Sequence, residues 1–300
     1  MPVPLPASLR DRLKELAAAS SAAELLVSAR AHAAAQRDGI SYSFKTEEDC
    51  LAYALTRMPA MIGAISTALG ELPAPPKRLL DLHAGPGGAA WAVQARWGNL
   101  PQVTLVEEDS GLVALGRRLG TPATRWMVDD PARMDLPSGH DLVLLAYSSA
   151  KTLTSALIDR AWQATGRYLV VIDPDFAKLR EVRTRLAAYT IAPCPHRNAC
   201  PVPAGDSCNF AARVERSREH RQLKGGDLTY EDEKFSYFVF DRQAAANVAR
   251  ARIVRRPCVQ KGRVELRLCT LAGLEKRLVV RSDPAWKAAR KADWGQRWTE

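Results

Sequence analysis

The chain has 300 residues, 47% of them hydrophobic, and a formal net charge of +10. This is long enough for a large domain and a smaller appendage with its own core. No stretch of about 18 uninterrupted apolar residues occurs, which argues against a membrane span. The first residues, with Asp11 and Glu15 close behind, fit neither a secretory signal nor a transit peptide, so we expect a cytoplasmic protein of bacterial type.

The basic charge lies in the second part of the chain. Residues 1–180 carry equal numbers of basic and acidic side chains, so the whole excess of +10 lies beyond residue 180. A one-sided excess rich in arginine favours a polyanionic partner, because displaced counterions drive such binding. We therefore predict binding to nucleic acid, with an ordinary solvated basic surface as the alternative.

Helices are predicted before the first strand. Residues 9–35 have the pattern of an Ala-rich helix in two pieces, and a further helix ends at Leu69 before the turn-rich run Leu72-Pro-Ala-Pro-Pro-Lys. Short apolar runs then alternate with helical patterns, which indicates strand–helix–strand units and a parallel sheet. The apolar runs are residues 79–82, 103–106, 142–145 and 168–172, and a helix begins at Ala89.

The turn after the first predicted strand resembles a cofactor-binding loop. The run Leu80-Asp-Leu-His-Ala-Gly-Pro-Gly-Gly resembles the first motif of Rossmann-like S-adenosylmethionine methyltransferases. Its glycines let the backbone approach a cofactor closely, and an acidic side chain completes the polar cradle. The predicted cofactor-binding residues are Asp81, His83, Gly85, Gly87, Glu107 and Asp129. Glu107 is expected at the ribose hydroxyls, and Asp130 is an alternative to Asp129 near the adenine. An ordinary tight connection without a ligand is the competing interpretation.

His83 departs from this motif, because it stands where the first glycine is expected. Its side chain would crowd a ligand, and a positive φ there would cost about 1 kcal/mol. The run Ala146-Tyr-Ser-Ser-Ala-Lys-Thr lacks the Asn-Pro-Pro-Tyr motif of amino methyltransferases and offers no obvious base. Tyr147 is expected either in the cofactor pocket or in the core. The catalytic residues are therefore unknown from the sequence.

A cluster of cysteines predicts a metal site. Three cysteines lie in one short proline-flanked segment, and a fourth ligand is needed from elsewhere in the chain. The predicted metal ligands are Cys194, Cys200, Cys208 and Cys269. Cys258 competes with Cys269 for the fourth place, and His196 would substitute at a zinc site. Structural zinc normally uses Cys-x2-4-Cys knuckles, whereas four thiolates at wider spacing suit an iron–sulfur cluster better. Zinc remains the alternative.

These motifs resemble a known family. The runs Ala192-Pro-Cys-Pro-His, Asp206-Ser-Cys-Asn-Phe and Tyr230-Glu-Asp-Glu-Lys-Phe-Ser-Tyr are similar to those of the methyltransferase-like proteins of the mitochondrial small ribosomal subunit and their bacterial relatives. The likeness covers nearly the whole chain, from Tyr53 to the Trp294-Gly pair. It implies a Rossmann-like class I methyltransferase fold with a 4Fe-4S cluster on the four cysteines. It also implies a factor that binds the small ribosomal subunit and supports its maturation or translation.

The chain departs from the family pattern at His83, Ser207 and Gln296. The first departure puts methyl transfer in doubt, whereas the other two leave the cluster intact. The predicted organisation is an N-terminal helical region (1–72), a Rossmann-like methyltransferase core (73–192), a cysteine-rich, cluster-binding basic insertion (193–229), and closing strands with a basic C-terminal extension (230–300).

Two basic stretches suit ribosomal RNA. The predicted RNA-binding residues are Arg213, Arg216, Arg218, Arg221, Lys224, Arg290 and Lys291. The first five are expected in one short helical segment, and the last two lie among Trp286, Trp294 and Trp298. Arginine supplies forked phosphate contacts and indoles supply stacking surfaces, although tryptophans that merely cover a sheet are equally compatible. The expected partners are the rRNA and proteins of the small subunit, and off the ribosome we expect a monomer.

Two other functions fit the same residues. One is an active S-adenosylmethionine-dependent methyltransferase that modifies rRNA. The other is a zinc-stabilised RNA-binding module without catalysis.

Overall fold

The computed structural model describes residues 2–148, 153–243 and 250–300. The chain forms two compact units. The first comprises Met1–Leu169 and Ala212–Glu233, and the second comprises Val170–Ala211 and Lys234–Glu300. In the described ranges no helix combines the length and the apolar character that crossing a bilayer requires.

Four helices precede the first strand. They are α1 (Ala7–Ala19), α2 (Ala22–Arg37), α3 (Glu47–Thr56) and α4 (Met58–Leu69). Ser21 caps α2, and Thr46 with Asp49 forms a reciprocal capping box at the start of α3. The predicted two-piece helix is thus confirmed, as is the helix that ends at Leu69. Nearly all of α4 is buried, because its apolar residues run round the whole helix.

Strands and helices then alternate in the first unit. The elements are β1 (Arg78–Leu82), α5 (Gly88–Trp97), β2 (Gln102–Glu107), α6 (Ser110–Arg118), β3 (Arg125–Val128), β4 (His140–Ala146) and α7 (Ser155–Ala164). These four strands are parallel in the order β3-β2-β1-β4, which is a Rossmann-like order. The predicted α/β fold class is confirmed. Strands β1, β2 and β4 end at one edge of the sheet, which brings the following turns together.

The next elements belong to both units. They are β5 (Thr165–Asp173), α8 (Phe176–Arg185), a 3-10 turn (Ala187–Tyr189), β6 (Thr190–Ala192), β7 (Phe210–Glu215), α9 (Arg218–Lys224) and β8 (Tyr230–Asp241). In the second unit β6 pairs antiparallel with β8, with Thr190 opposite Phe240. In the first unit α9 packs against α2 and α3, and Val3 bridges to Val214 of β7.

The chain ends in a second sheet with its own core. Its elements are β9 (Ala251–Ile253), β10 (Cys258–Gln260), β11 (Arg263–Thr270), β12 (Gly273–Val280), α10 (Trp286–Ala289) and β13 (Arg297–Trp298). The strand order is β10-β11-β9-β13, and β12 pairs with β11. Trp298 is buried in this core beside Leu266 and Leu268, and Trp286 packs against it. The indole of Trp298 therefore stabilises the sheet and offers no surface for stacking on RNA.

Candidate functional site

A cavity of about 280 Å³ opens where β1, β2 and β4 end. Three of the predicted cofactor residues, His83, Gly85 and Glu107, line it. Tyr147 lines it as well, so this residue lies in the pocket rather than in the core. The opposite wall comes from the N-terminal helical region, whose aromatic side chains pack together: the rings of His32 and Tyr42 stack with their centroids 3.7 Å apart.

The glycine turn is held by the carboxylate of Glu107. Its Oε2 accepts a hydrogen bond from the Gly85 N–H at 2.8 Å, and its Oε1 accepts one from the Asp109 N–H at 3.0 Å. Gly87 has a φ of +92°, and a Cβ there would lie 2.3 Å from Thr121 Cγ2. Glycine is therefore required at this position both by the backbone conformation and by the packing.

The two other predicted carboxylates are placed differently. Asp81 is 3% exposed and outside the cavity wall. Burial raises the pKa of Asp81 well above its ordinary range, and the nearby charge of Glu107 adds to the shift. Asp129 is exposed, does not line the cavity, and accepts a hydrogen bond from the Asp130 N–H.

Two non-glycine residues at this edge have left-handed backbone conformations. The φ of His83 is +61° and that of Tyr147 is +56°, at a cost of about 1–2 kcal/mol each. The strain predicted for His83 is thus present. Its Nε2 is buried and has no hydrogen-bond partner within the described ranges. This nitrogen is therefore available to form a hydrogen bond with a ligand. Residues 149–152, which belong to the run that offers no obvious base, lie outside the described residues.

A buried ion pair beside the cavity was not anticipated from the sequence. Arg57 donates to both carboxylate oxygens of Glu233 at 3.1 and 3.3 Å, and the Tyr147 hydroxyl donates to Glu233 Oε1 at 3.0 Å. Glu233, in the Glu231-Asp-Glu run at the start of β8, thereby connects this strand to the residue that follows β4. Its partner Arg57 lies 176 residues away in the chain, which was beyond sequence reasoning.

The second unit brings the predicted cysteine ligands near one another. Burial raises the pKa of the Cys208 thiol well above its ordinary value, and the neighbouring thiols of Cys194, Cys269 and Cys200 add to the shift. Burial, with the Cys194 and Cys200 thiols, likewise raises the pKa of Cys269 to about 12. His196 Nε2 lies 3.4 Å from Cys269 Sγ. Among the residues that the structure describes, no group of three or more Cys, His, Asp or Glu side chains is close enough to hold a metal ion.

The segment that carries three of these cysteines is held by arginines. Arg180 donates to the Val202 carbonyl, Arg183 to the His196 carbonyl and Arg252 to the Pro193 carbonyl, while Arg255 pairs with Asp206. From β8, the Ser236 hydroxyl lies 3.1 Å from the carbonyl oxygen of Cys208. The loop is therefore ordered by side chains that no sequence motif singles out.

The predicted RNA-binding residues divide between the units and differ in availability. Arg213 lies in β7 rather than in a helix and forms a bidentate pair with Asp232. Arg216 donates to backbone carbonyls, and Lys224 of α9 pairs with Glu231. In the described ranges no ion pair engages Arg218 and Arg221 of α9, nor Arg290 and Lys291 in the second unit, and all of these except Arg221 are exposed.

Comparison with known proteins decides the family. A family model described as mitochondrial small ribosomal subunit Rsm22 matches residues 47–299. The chain belongs to this family. The Rsm22 match begins at the first residue of α3 and runs through both units, so it includes the glycine turn, all four clustered cysteines and the basic residues. The resemblance noted in the sequence motifs is confirmed.

Other comparisons are more distant. No curated protein matches the chain significantly. Solved structures that are similar include a Thermoplasma acidophilum protein (15% identity, 66% of this chain and 88% of that one, TM-score 0.38). They also include the Synechocystis magnesium protoporphyrin IX methyltransferase (13%, 68% and 86%, 0.35) and a TehB-like SAM-dependent methyltransferase from Corynebacterium glutamicum (17%, 59% and 86%, 0.37). TM-scores this low carry no conclusion about this Rsm22-family chain.

Proposed function

We propose that this protein is a methyltransferase-like factor that binds the rRNA of the small ribosomal subunit and supports its maturation or translation. We further propose that it holds a 4Fe-4S cluster through Cys194, Cys200, Cys208 and Cys269. Membership of a family named for the small ribosomal subunit supports the first part. The observation that carries the second is the proximity of four thiols, three from one loop and one from β11.

The arrangement of the donors favours a cluster over a single ion. A zinc ion holds each thiolate sulfur at about 2.3 Å from one point, so its four ligands nearly touch. No such group exists among the described residues, but the thiols of Cys194, Cys200 and Cys269 are near enough to Cys208 to raise its pKa. A core of several iron atoms would instead take one thiolate from each of the four cysteines, at different iron atoms. When bound, such a core supplies a cross-link between the cysteine loop and β11, and a redox centre.

The cluster is tested on protein purified without oxygen. We expect iron and acid-labile sulfide in near-equal amounts and a broad visible absorbance, all lost in Cys200→Ser. Cys258→Ser is the matched control, because this exposed thiol is outside the proposed ligand set. Zinc in place of iron in the wild type would support the zinc-stabilised module instead. Absence of both metals would reject the metal site.

RNA binding is tested on the cations that lack ion-pair partners. Replacing both Arg218 and Arg221 by Gln is expected to weaken binding to small-subunit rRNA fragments, because their phosphate contacts are lost. Each lost contact should also reduce the slope of log K against log salt concentration by about one. Arg30→Gln is the control, since Arg30 is exposed on α2 in the part of the chain without net charge. Equal affinities for all three proteins at several salt concentrations would exclude this surface.

A second candidate function is S-adenosylmethionine-dependent methylation of rRNA. The observation that favours it is the cavity lined by Gly85, Glu107 and the unsatisfied His83 Nε2, a set that fits the ribose and other polar groups of this cofactor. In that case Glu107 would bind the ribose, and the backbone of the glycine turn would approach the cofactor closely. Calorimetry with S-adenosylmethionine is expected to show binding that weakens at least tenfold in Glu107→Gln and is unchanged in Asp129→Asn. No heat with the wild type would reject this function.

A further inference from the structure

Arg183 is a buried cation that forms no ion pair with any described residue. Its side chain is 1% exposed, which makes it the largest fully buried side chain described. Nη2 donates to the carbonyl of His196 at 3.2 Å, and Nε has no hydrogen-bond partner. No carboxylate in the described part of the chain pairs with it. An isolated charge in such a place costs several kcal/mol unless something compensates it.

The group that Arg183 faces is the cysteine cluster. Its guanidinium donates a hydrogen bond to the thiol of Cys194 and also acts electrostatically on Cys269. A second buried arginine, Arg252, is near enough to act on the same two thiols and holds the Pro193 carbonyl. Positive charge is therefore concentrated around donors that are neutral only while they carry protons.

Metal binding would invert this imbalance. Cysteine binds metals as thiolate, so four ligands bring four negative charges. Both a zinc ion and an oxidised four-iron, four-sulfur core return two positive charges, so the loaded site keeps a net negative charge. A guanidinium held next to that charge makes a strong, charge-assisted hydrogen bond to the sulfur.

We propose that Arg183 is the built-in counter-charge of the metal group, compensating the thiolates so that the buried arginine and the bound cluster are each tolerated chiefly because of the other. The inference rests on the proposed cluster and assigns Arg183 as a positioning residue, since it acts through the ligands. Membership of the family does not by itself give α8 such a role.

The test compares Arg183→Met, which removes the charge and keeps the length, with Arg183→Lys, which keeps the charge. Arg180→Met is the matched control, because Arg180 lies one turn earlier on α8 and holds a carbonyl of the same loop. Each protein is reconstituted with ferrous iron and sulfide without oxygen and then challenged with a chelator. We expect Arg183→Met to lose iron at least tenfold faster than wild type, with Arg183→Lys and Arg180→Met close to wild type.

Two further readouts separate a charge role from a packing role. Loss of the cation disfavours the more negative, reduced cluster. The reduction potential of Arg183→Met should therefore fall by about 59 mV or more, which for one electron is a tenfold change in the equilibrium constant of reduction. In metal-free protein the substitution should not destabilise. Because it removes an uncompensated buried charge, the melting temperature of Arg183→Met should equal or exceed that of wild type.

Each outcome decides the matter. Equal loss of iron in the Met and Lys variants, or a metal-free Arg183→Met that melts lower or fails to fold, would show that Arg183 acts by packing and would overturn the inference alone. Wild-type protein that binds neither iron nor zinc would overturn the proposed metal site and this inference with it.

Discussion

The carboxylate of Glu231 lies among three basic side chains of the first unit, and Glu231→Gln measures how much these contacts stabilise the fold. Lys224 Nζ donates to its two oxygens at 2.9 and 2.8 Å, and His220 Nε2 and Arg216 Nε lie 3.5 and 3.8 Å away. Gln keeps the shape but removes the charge. Since a hydrogen bond to a charged group contributes 1.5–3 kcal/mol and the pair with Lys224 is partly exposed, we expect a loss of about 2 kcal/mol. The melting temperature should fall by roughly 4–8 °C.

The pH dependence identifies the cause. Partial burial alone would raise the pKa of Glu231, but the adjacent His220 and the hydrogen bonds from Lys224 lower it to about 2. A carboxyl whose pKa is lower in the folded state than in the unfolded state stabilises fully above about pH 5, and this contribution is lost as the pH falls toward 2. Urea unfolding at pH 7, 5, 4 and 3 should show the gap between wild type and Glu231→Gln shrinking with acidity. Glu215→Gln, at an exposed carboxylate on β7, is the control. A gap that stays constant from pH 7 to pH 3 would refute the reasoning.

Three other predictions concern the cavity and its surroundings. Glu233→Gln leaves Arg57 unpaired in a largely buried site, so urea unfolding should show a loss of about 3 kcal/mol, partly restored by adding Arg57→Met; an additive double mutant would contradict the pairing. His83→Gly removes the buried Nε2 that lines the cavity and should weaken S-adenosylmethionine binding in calorimetry; stronger binding would show that this side chain only crowds the ligand. Gly87→Ala should cost about 3 kcal/mol because its Cβ meets Thr121, whereas Gly120→Ala, with positive φ but open space, should cost about 1 kcal/mol. Equal losses at the two glycines would show that φ alone decides.

The Rossmann-like part was predictable because its strands are apolar almost throughout. Leu79 and Leu80 of β1 are fully buried, as parallel strands covered on both faces are, and the glycine turn marks where β1 ends. Strand β3 escaped prediction because Arg125-Trp-Met-Val is only partly buried. For the second sheet, only the presence of closing strands within residues 230–300 was predicted. In β12, three charged residues lie between the exposed Leu274 and Leu278, a pattern that a surface loop would share.

The candidate site was predictable where its chemistry is local. Three cysteines in one segment indicate a metal site by their close spacing, and the surrounding motif identifies Gly85 and Gly87 as part of a cofactor-binding turn. The arginines that hold the cysteine loop carry no such signal, because Arg183 on α8 looks like any basic helical residue until its burial is known. The pair between Arg57 and Glu233 joins residues 176 positions apart. Such contacts depend on the tertiary fold and not on any local pattern.

The path of the chain between the two units has a consequence for biosynthesis. The first unit needs residues 212–233 to be complete, and these follow part of the second unit in the sequence. Since domains fold as their residues leave the translating ribosome, the loop with Cys194, Cys200 and Cys208 must emerge before the first unit can close. Cys269 emerges only afterwards. A nascent chain therefore passes through a stage in which three of the four proposed cluster ligands have emerged and the fourth has not. Neither unit corresponds to one contiguous fragment that truncation would release.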